Sequence, residues 1–291
     1  MVVMSESARQ DEPRTWWKEM IKRRIVGLYS AALVGGQHHI DYLVELGMPR
    51  ERIFTGYDVV DSAYFLRRAE EVRGQKSEVR KKFGLPENYF LASARFIEKK
   101  NLARLIRAYA AYRQKSETSG NPLWDLVLLG EGPLRETLNS QLSTLNLHGH
   151  VHLPGFKQYE ELPVYYALAN VFVHASTSEQ WGLVVNEAIA CGLPVIVSER
   201  CGCVPELVGD NGFTFDPINE DELTARLLHV ALLSDHDLER LREASRKIAA
   251  RFGPELFGRG LEDAARMAIE NQKKFGVRDR AILLAVARIG R

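Results

Sequence analysis

The sequence carries almost no net charge: 39 Lys and Arg stand against 38 Asp and Glu in 291 residues, a formal +1 at pH 7. That balance gives no global electrostatic case for nucleic acid or for an anionic membrane, so an anionic partner must be met by a local cluster of Lys and Arg. Cysteine is scarce. Cys191, Cys201 and Cys203 make no disulfide framework and fit a reducing compartment. Cys191 reads as a packed thiol in a small-residue helix, and Cys201-Gly-Cys203 lacks the second pair that a zinc site needs. No run approaches the ~18 apolar residues of a transmembrane helix. The opening "MVVMSESARQ" lacks the basic and long apolar regions of a signal peptide; it reads as the end of a buried strand. No repeat of solenoid period is present. These absences place the chain in the cytoplasm, with a peripheral position at the inner membrane face as a further option.

What is present is a globular composition, 45% hydrophobic and 26% charged. The length suits one large or two ordinary domains of ~100–200 residues. Residues 14–29 have helical spacing, "AALVGG" (31–36) and "RIFTG" (52–56) read as short strands, and "QHHIDYLVELG" (37–47) reads as an amphipathic helix ended by Gly47. That is only two or three β-α-β units, too few for a complete parallel sheet. A polar helix is expected near 66–83. From Tyr89 a regular alternation sets in, with strands at 89–94, 125–130, 151–155, 171–176, 194–198 and 212–216. The helices between and after them lie at 101–116, 133–146, 159–168, 182–191, 204–208, 219–233 and 235–250. Such alternation implies an α/β doubly wound parallel sheet, which binds ligands beyond the C-terminal ends of its strands. A helix at 254–273 and a basic amphipathic segment at 278–291 close the chain.

The strand-to-helix loops hold the polar residues of interest. In "SEQWGLVVNEAIACGLPVIVS" (178–198), Glu179 precedes a buried, all-round apolar helix opened by Gly182, and Glu187 lies inside it. Unpaired N–H groups and the dipole make that helix end an anion site. Glu187 lies five residues beyond Gly182, roughly 7.5 Å along the helix. A diphosphate at the helix mouth would have a carboxylate near each substituent, and carboxylates suit diols. A molecule with a central diphosphate and a sugar at each end fits. Taken alone, the pair fits equally a helix cap and a surface charge. "ASARFIEKKN" (92–101) adds Arg95 and either Lys99 or Lys100, a fork and an ammonium suited to a diphosphate. "LLGEGPLRE" (128–136) adds Gly130 and Gly132, which permit close backbone approach to a ligand, and Pro133 as a helix start. His148, His150 and His152 read as turn and strand rather than zinc ligands. His174 reads as a satisfied strand-end residue and Trp181 as a packing anchor.

Together "ARFIEKKNL", "LLGEGP", "VHLPGF", "ANVFVHASTSEQWGLVVNEAIACGLPVIVS" and "GCVPELVGDNGFTFDP" resemble the retaining glycosyltransferases of the GT-B fold, family 4 or "group 1". They occur in the family order over roughly residues 89–232. The resemblance implies one complete Rossmann-like donor-binding domain (61–250) and a remnant of the N-terminal Rossmann-like acceptor domain with its linker (1–60). It also implies C-terminal helices (251–291) packing back on that remnant. By the family motif, Arg95 and Lys100 hold the donor diphosphate; Lys100, next to Asn101, fits the spacing better than Lys99. Glu179 would contact the donor sugar and Glu187 the ribose. Backbone amides at Gly182, Leu183 and Val184 would touch phosphate and sugar, with Gly130 nearby and Phe156 and Lys157 at the base. No metal and no cofactor is expected, because the two cations do the work of a divalent ion.

Ala175 stands where the family often has proline, and most of the family's first domain is absent. The expected partners are a nucleotide sugar, a glycan, lipid or small-molecule acceptor, and a missing domain or partner chain. A non-catalytic nucleotide-sugar binder is the alternative. Another GT-B chemistry is weaker, since phosphorolysis needs a pyridoxal-phosphate lysine that no segment recommends.

Overall fold

The computed structural model describes residues 1–11, 13–272 and 276; the basic segment at 278–291 lies outside them. The chain divides into two compact units, Met1–Val59 with the chain from Pro254, and Val60–Gly253.

In the first unit, β1 (Val2–Ser5), β2 (Ala31–Val34) and β3 (Ile53–Thr55) form a parallel three-stranded sheet in that order. Between them lie α1 (Trp16–Val26) and α2 (Gln37–Glu45). Four consecutive small or branched apolar residues let β2 bury both its faces. β1 is a sheet edge and only half-buried, with Met4 exposed, so the expectation of a buried opening strand holds for the strand and not for the burial.

The second unit opens with two helices where one was expected. α3 (Ser62–Gly74) and α4 (Lys76–Phe83) are separated by Gln75, whose φ of −122° and ψ of 28° leave the helical region. The alternation then follows as β4 (Tyr89–Ser93), α5 (Leu102–Ser119), β5 (Asp125–Leu129), α6 (Arg135–Thr144) and β6 (Val151–Gly155). It continues with α7 (Leu162–Leu168), β7 (Val171–His174), α8 (Leu183–Ala190), β8 (Val195–Ser198), α9 (Val204–Leu207) and β9 (Gly212–Phe215). α10 (Glu220–Ala231) and α11 (Asp235–Ala249) end the unit. Pro133 does not start α6; it sits in the turn before it, and the helix begins at Arg135.

The six strands are parallel in the order β6-β5-β4-β7-β8-β9. Because side chains alternate along a strand, Tyr89 and Leu91 of β4 enter one core with Phe65, Tyr166 and Ile189, while Phe90 and Ala92 enter the other with Ile106, Tyr109 and Leu227. Both faces are therefore apolar and both are covered by helices, the doubly wound arrangement. The chain winds outward in one direction from β4 and in the other from β7, so the crevice of the switch point opens after these two neighbouring strands. The last helix, α12 (Pro254–Glu270), belongs to the first unit and buries Ala264 and Ala268 against Ala31 and Leu33 of β2.

Candidate functional site

The loop after β4 and the loop after β7 meet at the switch point. Asn101 adopts the left-handed conformation (φ 58°), which asparagine tolerates better than most residues. Its Nδ2 donates to the carbonyls of Ala175 at 3.0 Å and Pro217 at 2.8 Å. Thr177 N donates to Lys99 O at 2.8 Å, tying the two loops together. This anchoring decides between the neighbouring lysines: Lys100 turns inward and forms an ion pair with Glu179, and the exposed Lys99 contributes its backbone carbonyl.

Glu179 is held from several sides. His174 Nε2 lies 3.2 Å from its Oε2, and the Ser176 hydroxyl donates to the same oxygen at 3.3 Å. Gly202 N donates to Glu179 O at 2.9 Å, bracing the loop from behind. Burial opposes ionisation of Glu179, yet the hydrogen bond and charge of His174, joined by the Lys100 ammonium, hold its carboxyl down at about 2. Burial equally works against a charged His174; the Cys201 sulfur and the Glu179 carboxylate overcome it and push the imidazole up to about 9. A histidine that the sequence offers as a satisfied strand end is thus a buried hydrogen-bond partner of Glu179. The one legible cue is its position at the end of β7, five residues before Glu179.

Gly182 opens α8 with φ 103°, and a Cβ there would sit 2.8 Å from Cys201 Sγ. α8 is not apolar all round. Leu183 is exposed, because it sits at the open first turn, whereas Val185, Ala188 and Ile189 face the core. Trp181 is buried, its indole donating to Asn186 Oδ1 at 2.8 Å, which fits a packing anchor.

A cavity of about 300 Å³ lies beside this helix, and Arg95, Gly130, Phe156, Lys157, Val184 and Glu187 all line it. The Arg95 guanidinium is exposed at its rim. Phe156 offers an exposed ring, and Lys157 lies 3.9 Å from Glu161. Burial pushes the Glu187 carboxyl up to about 7 against a hydrogen bond from the Tyr166 hydroxyl at 2.8 Å. Tyr166, on α7, was not singled out from sequence. Lys100 and Glu179 do not line the cavity; they flank the N-terminus of α8 on the Gly182 side.

The glycines after β5 pack two loops together, and Gly130 also lines the cavity. A Cβ at Gly130 (φ 127°) would come within 1.9 Å of Ala94 O, and one at Gly132 within 2.6 Å of Phe96 O. The close approach they permit is between two loops, with Phe96 N donating to Glu131 O at 2.8 Å. The result is a cavity wall that carries Arg95. Of the three alternating histidines, His148 pairs with Ser143, while His150 and His152 both approach Asp125.

A model of the family "Glycosyl transferases group 1" matches residues 75–248, more than half of the chain. The chain belongs to that family. Among relatives of this group 1 glycosyl transferase, O-antigen chain mannosyltransferase B of Escherichia coli is 30% identical over 182 residues, covering 62% of this chain and 45% of the relative. Alpha-monoglucosyldiacylglycerol synthase of Acholeplasma laidlawii is 29% identical over 161 residues, 54% of this chain and 38% of the relative. The chain thus spans less than half the length of these curated relatives. Among solved structures, sucrose-phosphate synthase of Thermosynechococcus elongatus superposes with a TM-score of 0.74 at 22% identity, covering 92% of this chain and 68% of that one. HepE of Anabaena, crystallised with UDP, gives 0.67 at 20% identity, covering 81% and 64%. These likenesses show the GT-B fold.

Proposed function

We propose that this chain is the donor-binding part of a retaining family 4 glycosyltransferase, which moves a sugar from a nucleoside diphosphate sugar to an acceptor hydroxyl. The observation that carries the reading is the convergence of Arg95, Phe156, Lys157 and Glu187 on one cavity at the switch point, with Lys100 and Glu179 beside the same helix N-terminus. The diphosphate lies at Gly182–Val184, where α8 offers backbone N–H groups, and takes Arg95 and Lys100 as its cations. Lys100 exchanges Glu179 for the phosphate, and the released Glu179 oxygens accept the sugar hydroxyls while His174 retains the balancing charge. Glu187 receives the ribose diol, and Phe156 and Lys157 border the base.

In the transfer step the bond from the anomeric carbon to the phosphate oxygen breaks with its electron pair leaving on the diphosphate. The acceptor oxygen bonds to the same face of that carbon, and its proton passes to the leaving phosphate oxygen. Charge develops on the diphosphate, where Arg95 and Lys100 stabilise it without a divalent ion. No cofactor enters this scheme.

The acceptor side calls for a further domain or a partner chain, since positioning two reactants can account for ~7–11 kcal/mol of barrier lowering. A second reading follows from the short span relative to its relatives: the chain binds a nucleotide sugar and turns it over only with that partner. A thermal screen of nucleoside diphosphates and their sugars, with EDTA, tests the first reading. One nucleotide family should raise the Tm saturably; stabilisation by none of them overturns it. The anomeric configuration of the product, read by NMR, tests retention.

A further inference from the structure

We propose that this chain has a second anion site, for a phosphate monoester or diester group, at the opposite end of the donor sheet from the crevice. A cavity of about 280 Å³ lies there, bordered by Asn88 and Asn170, the residues immediately before β4 and β7. The donor crevice opens after Ser93 at the other end of β4, a strand of five residues, roughly 16 Å away at 3.3 Å per residue. The two sites therefore share the sheet but no lining residue.

Five cations line this cavity: Arg73 from α3, Lys76 and Arg80 from α4, and Arg242 and Arg246 from α11. Two carboxylates accompany them, and each serves two cations. Glu87 lies 2.5 Å from Arg80 and 3.7 Å from Lys76; Glu239 lies 2.7 Å from Arg246 and 3.5 Å from Arg242. Among the described residues no carboxylate lies within ion-pair distance of Arg73. Its Nε donates to Ala167 O at 3.2 Å and its Nη2 to Cys191 O at 2.5 Å. Arg80 is 8% exposed, its Nη2 donates to Leu168 O at 3.2 Å, and its Nε has no partner. Backbone carbonyls thus fix two guanidinium groups in a cavity with three positive charges in excess and more donors than acceptors.

A solvated surface cluster would spread such charges outward; here three helices from two distant parts of the chain turn them toward one space. Burial, together with the Arg242 and Arg246 charges, disfavours the charged form of Arg73, the response expected of a cationic site that lacks its anion. A guanidinium fork matches the paired oxygens of a phosphate group, and the volume accommodates that group with a small organic body. The phosphate can come from a soluble phosphate ester or from an anionic lipid headgroup.

The test titrates the 291-residue chain with inorganic phosphate by calorimetry and, separately, sediments it with phosphatidylglycerol vesicles. A variant carrying Arg242→Ala and Arg246→Ala should weaken phosphate binding by about tenfold per guanidinium removed. The variant Arg107→Ala, an exposed guanidinium that lines neither cavity, should bind phosphate as the wild type does. Glu239→Gln, which removes a competing carboxylate and needs no loss of packing, should tighten binding. Vesicle binding lost in the double variant and competed by free phosphate identifies a lipid source; phosphate binding without vesicle binding identifies a soluble one. No saturable phosphate binding, binding kept undiminished in the double variant, or no tightening in Glu239→Gln overturns the proposal. Phosphate held by the donor clamp would persist in the double variant, so failure of this site and failure of the donor assignment, which is read with nucleotides, are told apart.

Discussion

Lys100 and Glu179 stand 79 residues apart in sequence and form an ion pair whose side chains are only 14% and 13% exposed. The residue assigned to the diphosphate and the one assigned to the donor sugar are therefore each other's partner, with His174 behind the carboxylate. A ligand that takes Lys100 leaves Glu179 charged and still held by His174, ready to accept hydroxyls. In the proposed function this pair would couple phosphate binding to sugar recognition, and its charge-reversal or neutral variants should uncouple them.

Because the two glutamates serve different ends of the donor, their variants should separate. Glu187→Gln should weaken the free nucleoside diphosphate and the nucleotide sugar alike, through the ribose. Glu179→Gln should leave the free nucleotide within about threefold while impairing the nucleotide sugar or its turnover, because less than ~0.7 kcal/mol of nucleotide contact is at stake. Calorimetry with both ligands reads the difference, and equal losses for free nucleotide contradict the assignment.

The Glu187 carboxyl sits at about 7, and hydroxyls donated by a ribose favour its ionised form. Nucleotide-sugar affinity should therefore rise by about tenfold between pH 6 and pH 8, with a proton released on binding. The diester phosphates of a nucleotide sugar do not titrate in that window, so Glu187→Gln should flatten the profile. A wild-type profile already flat from pH 6 to 8 counts against a carboxylate–ribose contact.

Glu179 contributes to stability in the opposite sense. Its folded pKa of about 2 lies below the ordinary 4.5, so its contribution is fully present above about pH 4.5 and is lost as pH falls toward 2. The urea-unfolding difference between wild type and Glu179→Gln should shrink by ~2–3 kcal/mol across that interval. A difference independent of pH would mean that His174 and Lys100 do not lower this carboxyl.

Most of the second unit was legible because its signals are local. The strand–helix alternation, the Gly182 start of α8 and the polar loops after β4 and β7 each lie within one short segment. What escaped depends on contacts between segments. The His174 charge arises from Glu179 and Cys201, the Tyr166 bond to Glu187 crosses from α7 to α8, and the Arg73–Arg80–Arg246 cavity joins helices far apart in the chain. The glycines after β5 were legible as a close approach, but only the fold assigns that approach to Ala94, beside the cavity that Gly130 also lines.

That reassignment predicts a stability effect. Gly130→Ala places a methyl 1.9 Å from Ala94 O at φ 127° and should cost ~2–4 kcal/mol. Gly74→Ala, at the end of α3 with nothing within 4 Å, should be neutral or stabilise by ~0.5–1 kcal/mol. Urea unfolding of both variants checks this; equal effects would remove the packing role of Gly130.

The donor clamp is tested most directly by calorimetric titration of the stabilising nucleoside diphosphate into wild type, Arg95→Ala and Lys100→Ala, with Mg²⁺ and with EDTA. Each variant should lose ~1.5–3 kcal/mol of binding, about 10- to 150-fold in Kd, with no dependence on the metal. Unchanged affinity in both variants, or binding only in the presence of Mg²⁺, would contradict the clamp of Arg95 and Lys100.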